Sequence, residues 1–204
     1  MKHRKNTIPA TFLWLLVAFS ACTQKKQPVT ETASFTKTDS VTERYLELQD
    51  SILMAWNVMI NDDNRKFRSM HKLLRELMKN EQYNKEELMA LEQRLSQVSG
   101  QSFTPENVGD PELVEEYDFA SSSLVTELVS LAESHADFAH NSALQKIVEE
   151  IKTSDQLVDK NRLNYDAIVY QYNRFLETNE NYVKKIDEDI SLEKKPLFQM
   201  VAED

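Results

Sequence analysis

Apolar residues recur at steps of three and four over most of the chain. The first run sets Tyr45, Leu48, Ile52, Trp56 and Met59, then Phe67, Met70, Leu74 and Leu77, on one side of a helix. A polar turn follows at Asn80 to Asn84. Asn84 with Glu87 reads as a capping box, opening a second helix with Leu88, Leu91, Leu95 and Val98 on one face and Gly100 at its end. Asp110-Pro111 combines a capping carboxylate with a proline at the first helical position. The third stripe is then Leu113, Tyr117, Ala120, Leu124, Leu128 and Leu131. Asn141 can cap a last helix whose face carries Leu144, Ile147, Ile151, Val158, Tyr165, Ile168, Tyr172 and Phe175. No strict alternation competes, so no strand is expected.

The breakers agree with this division. Four of the seven Gly and Pro residues fall within 100–111, and none occurs between Pro28 and Gly100 or between Pro111 and Pro196. Four amphipathic segments satisfy themselves by packing together. The expected fold is all-α: an elongated antiparallel four-helix bundle over residues 40–204, with two long helices and two shorter ones. Long helices of about 35–40 residues span about 55 Å. After Asn179 charge rises while Tyr182, Ile186 and Ile190 keep a helical step. Extension of the last helix and a fold-back both remain open there.

The N-terminus reads as an address. Lys2, His3, Arg4 and Lys5 precede an apolar run from Ile8 to Phe19, too short for the roughly 20 residues that span a bilayer. Residues 1–21 are expected to be a secretory signal peptide. Its end, Phe19-Ser20-Ala21-Cys22, resembles a bacterial lipobox, in which the Cys becomes the acylated mature N-terminus. An ordinary secretion signal with a chance Cys is the alternative. Several acyl chains anchor stably where one binds reversibly. Residues 22–39 then form the lipidated Cys and a polar tether.

Composition removes several function classes. Two Gly leave no Gly-rich phosphate loop, and one Cys leaves no intramolecular disulfide, CxxC redox pair or Cys-based zinc site. A net charge of −10 argues against nucleic acid. Cleavage before Cys22 removes Lys2, Arg4 and Lys5, leaving 21 basic side chains against the 34 acidic ones, or −13. Anionic lipid repels such a body, so the anchor and not a basic patch would hold it at the membrane. No acidic residue follows Cys22 in Thr23-Gln24-Lys25-Lys26, which points to a periplasm-facing position.

Asn61-Asp62-Asp63-Asn64-Arg65-Lys66 covers every helix face with polar groups and puts Asp63 on the apolar stripe. A carboxylate there must be solvated, paired or bound to a cation. It reads as a polar core layer, a cation site or a docking notch, or more plainly as a water-facing gap or a salt bridge to Arg162 or Lys160. His135, Asp137 and His140 could ligate a metal, but a helix end explains them as simply, and no metal or other cofactor is expected. Tyr165, Tyr172 and Phe175 are core positions by default, with ligand stacking the sharper alternative. Ser121-Ser122-Ser123 has no strand-to-helix elbow and reads as close packing.

Several of these residues together carry a resemblance. Ala55-Trp56 followed by Arg65-Lys66 and Leu73, then Asp137-Phe138, Asn141, Asp155, Arg162, Tyr165, Tyr172-Asn173 and the ending Lys195-Pro196-Leu197-Phe198, are similar in order and spacing to the LemA family of bacterial envelope proteins. His71 stands where that family often has Pro, and the likeness is patchy between Met78 and Ala136. The resemblance implies a long helical bundle at a membrane, no known catalytic residues, and a membrane metalloprotease among candidate partners. Trp56, Arg65, Tyr172 and Asn173 are the family-like positions, structural first and binding second. The expectation is therefore a non-enzymatic lipoprotein anchored through Cys22, docking envelope proteins or copies of itself. A bundle sensing a small molecule or cation near Asp62 and Asp63 is the alternative.

Overall fold

The computed structural model describes residues 36–101, 103–186 and 193–198. Cys22 and the expected signal peptide lie outside them. The described residues form four α-helices and no strand: α1 (Lys37–Met78), α2 (Lys85–Ser99), α3 (Pro111–Glu133) and α4 (Ser142–Val183), with a short 3-10 turn, Phe138–His140, before α4. The all-α bundle is as the periodicity predicts. Two helices have 42 residues and two have 15 and 23. At 1.5 Å per residue the long pair runs about 63 Å. No helix among the described residues is long and apolar enough to cross a membrane.

Local chemistry explains the boundaries. Thr36 accepts from the Asp39 backbone N–H while the Asp39 carboxylate accepts from Thr36, a complete capping box. Those bonds hold the Asp39 carboxyl below its usual range. This cap starts α1 inside the span expected as tether, so residues 36–39 belong to the bundle. Asn84, Asp110 and Asn141 cap α2, α3 and α4 with their side chains, and Pro111 opens α3. Gly100 closes α2 in ordinary right-handed backbone, without a left-handed turn.

α1 and α4 run antiparallel along their whole length. Lys37 meets the Tyr182 ring, Tyr45 meets Tyr172, Trp56 meets Tyr165, and Arg65 meets Ser154. α2 and α3 cover only one half of that pair. Their contacts fall on Asp63, Phe67 and His71 of α1 and on Lys152 and Arg162 of α4. One half of the unit is therefore four-helical and the other two-helical. The buried face of α3 is turned slightly from the expected one. Val114, Tyr117, Ser121, Leu124, Val125, Leu128, Val129 and Ala132 are inside, while Leu113, Ala120 and Leu131 sit at the margin. α4 continues to Val183 with one non-helical residue, Asn179 (φ −124°, ψ 15°). Residues 193–198 then lie back against α4, so the chain both extends and folds back.

Candidate functional site

The polar stretch of α1 sits where the four-helical half begins. A 3.6-residue helix cannot keep six consecutive polar residues in water, so some turn inward. Asp62 accepts from the Arg65 guanidinium at 2.5 Å and from Asn161 Nδ2 at 2.7 Å. Arg65 also reaches Ser154 on α4 (3.3 Å). Asp63 accepts from the Tyr117 hydroxyl of α3 and forms an ion pair with Lys66 Nζ at 3.1 Å. Lys66 is only 2% exposed, and its second carboxylate is Asp155 at 3.6 Å. Burial, then the charge of Asp63 and its hydrogen bond, push the Tyr117 hydroxyl well above its ordinary range.

Arg162 carries a different load. It is 2% exposed, yet it pairs with Asp118 at 2.6 Å and not with Asp63 as the sequence suggested. Lys160 is likewise not the partner of Asp63. The reason is register: Asn161 faces Asp62, which turns Arg162 toward α3. The guanidinium lies over the rings of Phe103 (5.3 Å) and Phe198 (5.0 Å).

Phe198 belongs to the returning segment. Its ring packs edge-on to Phe103 and Tyr165, and its backbone N–H donates to the buried carboxylate of Asp166 at 2.9 Å. Asn173 clamps the backbone of Lys195 from both sides, donating to its carbonyl (2.8 Å) and accepting from its N–H (2.9 Å). The Lys195 ammonium lies over the Tyr172 ring, and Lys194 pairs with Glu177. Gly109 completes the seat: a Cβ there would come 2.8 Å from the Pro196 Cβ. The Tyr165 hydroxyl is buried without a hydrogen-bond partner, and burial pushes it up to about 12.

The expected site residues thus fall into two groups. Asp62, Asp63 and Arg65 join a charged knot, while Tyr172 and Asn173 hold the returning segment. Trp56, half-buried, lies between the groups through Tyr165. Tyr117 and Asp166 had no site role in the sequence, and Lys66 entered only as the end of the 61–66 polar stretch. Asp166 carried no signal, because only its partner on a distant segment explains it. His135 stacks on Tyr83 at 4.7 Å with Asp137 3.8 Å away, and among the described residues no three metal-ligating side chains converge. Tyr170 is exposed, and Ser121 is buried in the α3 face. No family model, curated protein or solved structure matches this chain.

Proposed function

We propose that this protein is a non-enzymatic lipoprotein of the bacterial cell envelope, similar to the LemA family, anchored through an acylated Cys22 and facing the periplasm. Its bundle docks envelope proteins, among which a membrane metalloprotease is a candidate. One observation carries the docking reading. In the two-helical half, Leu46, Leu53, Met54 and Val58 of α1 and Tyr170 of α4 are large and exposed, Met54 by 69%. Most polar groups of the charged knot face one another, which supports docking over catalysis. The oxygens of Asp62 and Asp63 face Arg65, Asn161, Tyr117 and Lys66, which also favours docking over cation sensing.

The test combines acyl-chain labelling, fractionation and in-cell crosslinking. Wild type is expected to take label, pellet with membranes and crosslink to a specific neighbour. Cys22→Ser is expected to lose label and become soluble, and Leu53→Glu with Met54→Glu to lose the neighbour. An unlabelled, soluble wild-type protein would remove the anchor from this reading. A neighbour unaffected by the α1 variant would remove the docking face. Degradation of the protein by protease added outside intact cells would contradict the periplasmic position.

A further inference from the structure

The returning segment is held as a peptide ligand is held. Its backbone is read by two side chains, Asn173 at Lys195 and Asp166 at Phe198. Its apolar end fills a pocket made by Phe103, Tyr165 and Arg162. Pro196 rests on the one position, Gly109, that has no side chain to meet it. All of these partners lie 22 residues or more away from the segment in sequence. The seat therefore does not depend on which chain supplies its occupant. The seated state also leaves the Tyr165 hydroxyl buried and unpaired, which counts against it.

We infer that the seat between α4 and the 103–110 loop is a recognition site for an extended Lys-Pro-Leu-Phe segment, and that its partner is the same segment of a second copy. The argument for a second copy is the occupant itself: the chemistry seated here is residues 195–198 of this chain, so every copy supplies it. Within one chain the segment competes at an effective concentration on the order of millimolar. Exchange then becomes visible when one copy has an open seat and the other a free segment. This deepens the docking reading by naming one partner. Its test needs no membrane anchor, so its failure leaves the fractionation and crosslinking outcomes standing.

Two full-length chains are compared in one detergent throughout. Phe198→Ala weakens the segment and leaves the seat intact. Gly109→Val blocks the seat and leaves the segment intact. Each alone is expected to sediment as a monomer, and the mixture as a one-to-one complex with at least tenfold tighter association than either alone. A double variant carrying both changes is expected to complement Gly109→Val no better than Gly109→Val complements itself. Two folded variants, judged by unchanged helical circular dichroism, that stay monomeric when mixed would overturn the inference. So would a complex formed equally well by the double variant with either partner. If either variant fails to fold, amide hydrogen exchange on the wild-type chain decides. Lys195 and Phe198 are expected to exchange at least tenfold faster than Val169 and Tyr172, and equal rates would show the segment to be inseparable from the core.

Discussion

The two halves of the α1–α4 pair solve the same packing problem differently. In the four-helical half each long helix has neighbours on α2 or α3. Its interior includes Met70, Leu73, Leu74, Leu124, Leu128 and Ile151, all essentially without exposure, beside the charged knot. In the two-helical half the seam is closed by large rings, Tyr45 on Tyr172 and Trp56 on Tyr165, with the returning segment laid against Tyr165 and Tyr172. Both halves leave apolar side chains outside: Leu46, Leu53, Met54 and Val58 in this one, Met89 and Phe119 on the shorter helices of the other. The lesson is that a long helix need not be equally satisfied along its length.

The comparison can be broken by substitutions of equal chemistry in the two halves. Leu74→Ala is expected to cost about 3–4 kcal/mol, because a fully enclosed site cannot collapse. Leu48→Ala, in the two-helical half, is expected to cost about 2 kcal/mol, since two helices relax more easily. Urea unfolding with constant slope measures both. Equal costs would show that the halves are equally constrained.

Lys66→Ala comes next, at about 3 kcal/mol, because it strands Asp63 beside Tyr117 with little water. Adding Asp63→Asn should restore part of that loss, as a double-mutant cycle would show.

Alkaline pH sharpens the contrast further. Tyr165 is neutral below its folded value of about 12, whereas an unfolded tyrosine ionises near 10. The folded chain thus binds more protons than the unfolded chain in this window, and stability falls as pH rises. The contribution is intact below pH 10 and is lost between 10 and about 12, at up to about 1.4 kcal/mol per pH unit. Tyr165→Phe should flatten this slope in urea midpoints taken between pH 9 and pH 11. Tyr117→Phe should do the same, since its hydroxyl is raised in the same direction. The smallest effect belongs to Met54→Glu, expected within about 0.5 kcal/mol of wild type by the same measurement, because its side chain is already in water.

Most of the fold was legible because helix faces and caps are local signals. Asn84, Asp110, Pro111 and Asn141 act within four residues of where they stand. The capping box at Thr36 and Asp39 was equally local but was hidden inside a polar stretch that reads as tether. The site was legible only in part. The inward turn of Asp63 followed from the period, but its partner did not, since Tyr117 lies 54 residues away. Arg162 and Asp118 are 44 residues apart; Arg162 reads as a partner for Asp63, and Asp118 alone carries no signal. Periodicity says which side of a helix faces inward. It does not say which opposite charge waits on the neighbouring helix, and that pairing decides what a buried polar residue is doing.

One consequence concerns mechanics. α1 begins and α4 ends at the same pole, where the Lys37 ammonium lies over the Tyr182 ring. Tension applied between those two ends would peel the seam open instead of sliding the helices past each other. The layers would part in turn, Tyr45 from Tyr172 and then Trp56 from Tyr165. The opening would then reach Arg162 on Asp118 and Asp63 on Tyr117, the first contacts to a third helix, with Lys66 just beyond. The charged knot sits where a zipper would need its stop.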